Sequence, residues 1–175
     1  MNVILRWWTL FAVVAALAML GAAHAFETWG GLAPCHLCLK AREVYWASLV
    51  ISVPASLWAL GSRSKATPRV AAFLLFAVFF AGAVTAGFHA GGEARLWSLP
   101  ASCSSAGGGV IDLAAMEAFN GGAVSRAPKC DVAAWSWLGV SMAGWNGIVS
   151  LVLMVLSLLA AKRPREARAP RPVPS

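Results

Sequence analysis

The stretch VAAFLLFAVFFAGAVTAGFHAGG, residues 70–92, runs for 23 residues without Asp, Glu, Lys or Arg. A helix of about 20 apolar residues crosses the hydrocarbon core of a bilayer and satisfies its own backbone polar groups there. Residues 70–92 therefore predict a membrane-spanning helix. Three further uncharged stretches are long enough to do the same, and they cover residues 7–26, 44–62 and 132–161.

The composition of the whole chain agrees with a membrane protein. Of its 175 residues, 59% are hydrophobic and 12% are charged, and the mean hydropathy is +0.71. Such a chain is too apolar for an ordinary soluble domain. We expect an all-α membrane protein, a single bundle of four transmembrane helices over residues 1–161. The remaining residues, 162–175, are basic and Pro-rich and are expected to form a disordered tail.

Lys and Arg are divided unequally between the two ends of the predicted helices. Nine of the fourteen lie on the side that holds both termini. The other five lie on the opposite side, together with six of the seven acidic residues. Because Lys and Arg accumulate on the cytoplasmic side of membrane proteins, both termini and the tail are predicted to be cytoplasmic. The net charge of +7 then reflects topology and attraction to anionic lipid, and we do not expect nucleic-acid binding.

The end of the first apolar stretch also resembles a signal-peptide cleavage site, with Ala23-His24-Ala25 in the required small-residue pattern. The apolar stretch is longer than the core of a typical signal peptide. Its removal would also change the orientation of the other three spans. We therefore expect the first span to be retained.

All four cysteines lie on the predicted outer side, outside the four spans. Cys35 and Cys38 form a Cys-x-x-Cys pair in the short first loop, and Cys103 and Cys130 lie in the long, Gly-rich second loop. Outside a bacterial cytoplasmic membrane disulfides persist, so two structural disulfides would account for the pattern. The small, strained ring of a Cys-x-x-Cys disulfide favours thiol–disulfide exchange instead.

A metal or haem site is not expected from the sequence. Covalent c-type haem requires His directly after the second Cys of the pair, and Leu39 is there. A zinc site built from the four cysteines would need reduced sulfur in an oxidising compartment. It would also lie beside Lys40, Arg42 and Lys129, with a single close-spaced motif where such sites usually have two.

Two ionisable residues at the outer ends of the spans are candidates for function. Arg42 lies four residues after Cys38, so both share one helix face if the second helix begins near Leu37. A helix N-terminus and a nearby cation both favour the thiolate form of Cys38. His89 is predicted to lie at a similar depth, and ionisable groups inside a membrane mark functional sites. The alternatives are an interfacial anchor for Arg42 and a packing role for His89.

Taken together, these segments resemble the DsbB family of bacterial inner-membrane enzymes. A Cys-x-x-Cys motif alone is a weak signal, whereas an ordered set of motifs on four spans is specific. The matching segments are PCHLC (34–38), Arg42, FHAGGEARLW (88–97) leading to Cys103, PKCD (128–131) and WLGVSMAGWN (137–146).

The resemblance implies an enzyme that reoxidises a periplasmic thioredoxin-like dithiol oxidase of the DsbA type and passes the electrons to ubiquinone or menaquinone. It implies that Cys103 and Cys130 form the disulfide that the partner attacks at Cys103. Cys130 would then attack Cys35, and the freed Cys38 would face the quinone. The protein would lie in the inner membrane with all four cysteines in the periplasm.

The resemblance further implies that Arg42 binds the quinone, and that His89 binds it as well or supplies a proton. Two other functions fit parts of the sequence. A vitamin K epoxide reductase-like enzyme also combines a helical bundle, Cys-x-x-Cys and quinone, but carries its pair at a late span. A non-catalytic membrane scaffold would use two inert structural disulfides, which thiol trapping would distinguish from exchanging ones.

Overall fold

The computed structural model describes residues 2–61, 67–100, 103 and 129–163. The surface helix that the sequence suggests at residues 110–119 lies outside this part of the chain, as does nearly all of the predicted tail. The elements, in chain order, are α1 (Asn2–Arg6), α2 (Trp8–Thr28), α3 (His36–Gly61), α4 (Arg69–Glu93), β1 (Ser136–Trp137), β2 (Val140–Ser141) and α5 (Met142–Lys162).

Within the described residues, four helices (α2, α3, α4 and α5) are long and apolar enough to cross a membrane. The predicted fold class, an all-α membrane protein with a four-helix bundle, is confirmed. Helix α3 packs against both α2 and α4, and α4 makes its most extensive contact with α5. The order of packing around the bundle therefore follows the order of the helices in the chain.

Small residues let the helices approach closely at the centre of the bundle. A Cβ atom added at Gly82 of α4 would lie 2.9 Å from Cγ1 of Val44 on α3 and 3.2 Å from Oγ of Ser150 on α5. A Cβ added at Gly147 would touch the Ala86 side chain at 3.6 Å. Close backbone approach at Gly and Ser is typical of helix packing in membranes. It fixes which faces of α3, α4 and α5 point at one another.

The last transmembrane helix is shorter than the uncharged stretch that contains it. The stretch begins at residue 132, but α5 begins at Met142. The preceding residues form the antiparallel β1–β2 hairpin, whose turn has positive φ at Leu138 and Gly139. Ser141 ends the hairpin and caps α5, because its side chain accepts a hydrogen bond from the Gly144 amide at 3.1 Å. With 21 residues and a rise of about 1.5 Å per residue, α5 still spans the hydrocarbon core.

One buried polar contact ties the first and last transmembrane helices together. Nε1 of Trp8 donates a hydrogen bond to Oγ of Ser157 at 3.0 Å, and Ser157 in turn donates to the Leu153 carbonyl at 2.7 Å. Hydrogen bonding satisfies these polar groups inside the bundle, where water is absent. The apolar core around Trp8 also includes Leu75 and Phe79 of α4.

Candidate functional site

The four cysteines meet at one end of the bundle. Cys35 immediately precedes α3, and Cys38 lies in its first turn. Cys103 and Cys130 come from the second loop and pack with Cys35 and Leu37 in one buried cluster. The Cys130 amide donates a hydrogen bond to the Cys103 carbonyl at 2.9 Å, so the two loop cysteines are tied together through the backbone.

The two cysteine pairs pack against each other in this cluster. The Sγ atoms of Cys35 and Cys38 are 2.7 Å apart, and the Cys38 amide donates to Cys35 Sγ at 3.3 Å. Cys130 packs in the same buried cluster as Cys35 and Cys103, and its thiol interacts electrostatically with both. Cys130 is 1% exposed, so it is surrounded by protein and by almost no solvent.

Two of these thiols lie outside the membrane-spanning helices and have raised pKa values. The hydrogen bond with Cys38, and next to it burial, raises the pKa of the Cys35 thiol to about 12. Burial is the main cause that raises the pKa of Cys130. Both residues therefore hold their protons at neutral pH, and Cys35 needs a neighbouring base if it is to react as a thiolate.

His89 provides a base beside Cys35. Its Nε2 atom lies 3.8 Å from Cys35 Sγ and 3.6 Å from Oε1 of Glu93, one helical turn further along α4. The side chains of His89 and Glu93 are only 7% and 9% exposed. The other carboxylate oxygen, Oε2 of Glu93, is buried and has no hydrogen-bond partner among the described residues. The thiol and the carboxylate thus both approach the same imidazole nitrogen in a buried cluster.

Arg42 lies on the opposite side of the site and is fixed to α2. Its Nη1 atom donates to Oε2 of Glu27 at 2.6 Å, and its Nη2 atom donates to the Ala23 carbonyl at 3.2 Å. The two side chains of the ion pair are 21% and 36% exposed, so the pair is partly buried. Lys40 differs, because it forms an exposed pair with Glu43 on the outer face of α3.

A cavity of about 310 Å³ connects these residues. Ligand pockets typically have volumes of about 300–1,000 Å³ and an apolar lining with a few polar groups. This lining is largely apolar and includes the aromatic pair Phe26 and Trp135, whose ring centroids are 5.1 Å apart. Its polar members are Cys35, Cys38, Arg42, Tyr45, His89, Glu93, Lys129 and Asn146.

The floor of the cavity is held by a contact between α3 and α5. The Tyr45 hydroxyl donates to Oδ1 of Asn146 at 2.5 Å and lies 3.4 Å from Oγ of Ser150. Tyr45 is buried, and the bond joins residues 101 positions apart. It ties α5 to α3 at the cavity that the thiols also line.

The structure thus brings together the six residues that the sequence singled out. Cys38, Arg42 and His89 line one cavity, and Cys103 and Cys130 reach it through Cys35. The sequence analysis missed Glu27 and Glu93. Each is an acidic residue directly beside a long apolar stretch, and ionisable groups at that depth are the signal that would have identified them.

Comparison with known proteins gives two matches. Residues 5–160 match the family model described as "Disulfide bond formation protein DsbB". The chain is also 31% identical over 157 residues to "Disulfide bond formation protein B 2" of Pseudomonas putida. That match covers 88% of this chain and 89% of the relative.

Proposed function

The chain belongs to the DsbB family of disulfide bond formation membrane proteins, and from that membership we propose that it is a membrane thiol:quinone oxidoreductase. In this proposal it reoxidises a periplasmic thioredoxin-fold dithiol oxidase of the DsbA type. The observation that carries the proposal is the position of Cys130, which packs in one buried cluster with both Cys103 and Cys35. A thiol packed beside both pairs allows a disulfide to move between them without a large rearrangement.

The first steps exchange disulfides and leave the number of electrons unchanged. A thiolate of the reduced partner attacks Cys103 of the Cys103–Cys130 disulfide and releases Cys130. The second partner thiol completes the partner's own disulfide and releases Cys103. Cys130 then attacks Cys35 of the Cys35–Cys38 disulfide and releases the Cys38 thiolate. Attack by Cys103 on Cys130 restores the loop disulfide and leaves Cys35 and Cys38 reduced.

The last step returns the first pair to its disulfide. A bound quinone, ubiquinone or menaquinone, supplies an acceptor for two electrons and two protons. The Cys35 and Cys38 thiols give up these two electrons and two protons as their sulfur–sulfur bond forms. His89, 3.8 Å from Cys35 Sγ, takes the proton of this high-pKa thiol. Glu93 stabilises the imidazolium that results.

The cavity residues fit a quinone ring. The apolar lining and the aromatic side chains Phe26, Trp135 and Trp145 offer contact surface to a flat ring. A guanidinium has five N–H donors. Glu27 and Ala23 hold Arg42 in place through two of its nitrogens, which leaves donors for a quinone carbonyl. A donor at that oxygen stabilises the negative charge that develops there.

The charge asymmetry of the sequence supports the proposed location. It favours a bacterial inner-membrane protein with cytoplasmic termini and periplasmic cysteines. The packing of all four cysteines in one cluster supports a catalytic function over a scaffold with two separate structural disulfides, because structural disulfides need no contact between the pairs.

The test is electron transfer with purified components. The protein in lipid nanodiscs is mixed with a reduced thioredoxin-fold oxidase and ubiquinone, and the absorbance of the quinone is followed. We expect Cys103→Ser to stop oxidation of the partner while the Cys35–Cys38 pair remains oxidisable by quinone. Cys38→Ser should block quinone reduction but still exchange with the partner at Cys103. Full turnover in either variant would contradict the proposed order.

A further inference from the structure

We propose that the reduced Cys35–Cys38 pair, together with His89 and Glu93, forms a binding site for Zn²⁺. The ligand atoms of Cys35, Cys38 and His89 all lie within 4.8 Å of one another. The Glu93 carboxylate adds a fourth ligand, with Oε1 3.6 Å from His89 Nε2. Two thiolates, one imidazole and one carboxylate are all ligand types that zinc accepts in tetrahedral sites.

The distances are close to those of a tetrahedral site. Zinc binds sulfur at about 2.3 Å and nitrogen or carboxylate oxygen at about 2.0–2.2 Å, so neighbouring ligand atoms are separated by roughly 3.4–3.8 Å. The separation from Cys35 Sγ to His89 Nε2 is 3.8 Å, and that from His89 Nε2 to Glu93 Oε1 is 3.6 Å. The two sulfur atoms, 2.7 Å apart, must separate by about 1 Å, and the Glu93 carboxylate, which lies outside the group of ligand atoms within 4.8 Å of one another, must move towards the sulfurs. Rotations of the less buried Cys38 side chain and of the Glu93 side chain provide these movements.

A second observation independently indicates a missing cation. Oε2 of Glu93 is buried and has no hydrogen-bond partner among the described residues. Its side chain is 9% exposed and lines the cavity that holds both thiols. Burial of a carboxylate oxygen without a partner is unfavourable. A divalent ion between Glu93, His89 and the two sulfurs would offset the negative charge of this buried carboxylate.

Two of the three cations that argue against zinc in the sequence are directed elsewhere in the structure, whereas the third, Lys129, lines the cavity. Lys40 pairs with Glu43 on the outer face of α3. Arg42 pairs with Glu27 of α2. Neither forms a hydrogen bond with the thiols in the described part of the chain. The four-cysteine site considered from the sequence is also a different ligand set, because His89 and Glu93 take the places of Cys103 and Cys130.

Binding at this site depends on the redox state of the pair. Zinc binds thiolates, so the Cys35–Cys38 disulfide offers it no anionic sulfur. Only the reduced protein provides the complete site. An ion held by both sulfurs removes the Cys38 nucleophile and the electron pair, and zinc is thus a reversible inhibitor of the reduced form. The binding itself does not depend on the proposed quinone chemistry, whereas the inhibition does.

The test measures zinc binding without quinone or partner. The full chain carrying Cys103→Ser and Cys130→Ser retains a single thiol pair. It is reduced, freed of reductant under anaerobic conditions and titrated with Zn²⁺ against a chromophoric chelator. We expect one equivalent to bind to the reduced form and none to the oxidised form. Co²⁺ in place of Zn²⁺ should give thiolate-to-metal charge-transfer absorption and the visible bands of tetrahedral cobalt.

Two ligand variants and one control locate the site. In the same background, His89→Ala and the nearly isosteric Glu93→Gln should each weaken binding by at least the roughly 10–100-fold that loss of a supporting group costs at metal sites. His36 lies between the two cysteines in sequence but outside the cluster, so His36→Ala should retain the affinity. Binding to the oxidised protein, equal affinity in His89→Ala and Glu93→Gln, or a loss in His36→Ala alone would overturn the proposal.

A second readout uses the chain with all four cysteines. Zn²⁺ should protect Cys35 and Cys38 of the reduced protein from a maleimide, with protection located by peptide mass spectrometry and reversed by EDTA. Protection confined to Cys103 and Cys130 would overturn the proposal. This readout separates the two hypotheses, because a protein that fails to reduce quinone would still show the protection.

Discussion

The Nε2 atom of His89 lies 3.8 Å from the Sγ atom of Cys35, although the two residues are 54 positions apart in the chain. The contact places a base next to the one thiol of the pair whose pKa is raised to about 12. That thiol must lose its proton when the Cys35–Cys38 disulfide forms, so the contact supports our proposal that His89 accepts this proton. Binding of the quinone by His89, which the resemblance to the family also implies, stays a prediction.

The raised pKa values predict a pH dependence for alkylation of the reduced protein. A thiol reacts with iodoacetamide as the thiolate, so a raised pKa moves the rise in rate to higher pH. We expect Cys35 and Cys130 to be slow at neutral pH and to reach half-maximal rate above the ordinary value of 9.0. Residue-resolved mass spectrometry of quenched samples measures both rates. A half-maximal alkylation rate of Cys35 at a pH below 9.0 would contradict the raised pKa of this thiol.

The pair of Arg42 and Glu27 predicts graded effects on quinone affinity. A hydrogen bond to a charged group contributes about 1.5–3 kcal/mol, and about 1.4 kcal/mol corresponds to a tenfold change in affinity. We therefore expect Arg42→Ala to raise the KM for quinone about tenfold or more. Arg42→Lys should raise it less, since the charge remains while the planar fork is lost. Glu27→Gln should also raise the KM by less than Arg42→Ala does, because the guanidinium is still present and has lost only its fixed orientation.

Lys40→Ala is the matched control for these variants, because Lys40 is a neighbouring cation whose ion pair faces outward. Its KM for quinone should equal that of the wild type. Steady-state turnover against quinone concentration measures all four variants. An unchanged KM in Arg42→Ala would leave Arg42 as a membrane anchor.

The contact between Tyr45 and Asn146 predicts that its removal lowers the stability of the protein. Tyr45→Phe removes the 2.5 Å hydrogen bond and leaves Oδ1 of Asn146 without this donor. An unsatisfied buried polar group costs about 1–3 kcal/mol, so the free energy of unfolding should fall by that amount. Trp46→Phe, at an adjacent residue that is 60% exposed, should change it little. Denaturant unfolding in detergent measures both, and equal stabilities would show that the hydrogen bond does not hold α3 to α5.

The charge asymmetry predicts the orientation in the membrane. Ser64 lies in the basic segment between the second and third spans, so Ser64→Cys should be labelled by an impermeant maleimide only after the cells are lysed. Leu96→Cys provides the comparison, since Leu96 is 72% exposed just beyond the outer end of α4 and should be accessible from the periplasm. Labelling of Ser64→Cys in intact cells would reverse the proposed topology.

Much of the fold could be predicted from the sequence, because the bilayer imposes a length and a composition on every span. The limits of α5 could not. Residues 132–141 are uncharged, but positive φ at Leu138 and Gly139 turns the chain into a hairpin before the helix begins. Uncharged residues are compatible with both conformations, so hydropathy does not distinguish them.

The sequence identified which residues belong to the candidate site, but it could not predict which of them contact one another. Spacing within one helix relates Cys38 to Arg42. The contact of His89 with Cys35 depends instead on how α4 is rotated against α3, which the close approach at Gly82 determines. Glu93 enters the site for the same reason, as it lies one turn from His89 on the same face of α4.

The central claim is that Cys130 passes the disulfide specifically to Cys35, and a pair of two-cysteine variants tests it most directly. With Cys38 and Cys103 replaced by Ser, only Cys35 and Cys130 remain, and we predict that mild oxidation joins them in an intramolecular disulfide. With Cys35 and Cys103 replaced instead, the remaining Cys38 and Cys130 should form that bond far more slowly. Non-reducing peptide mapping measures both yields. Equal yields, or a bond that forms only between Cys38 and Cys130, would contradict the sulfur order on which the mechanism depends.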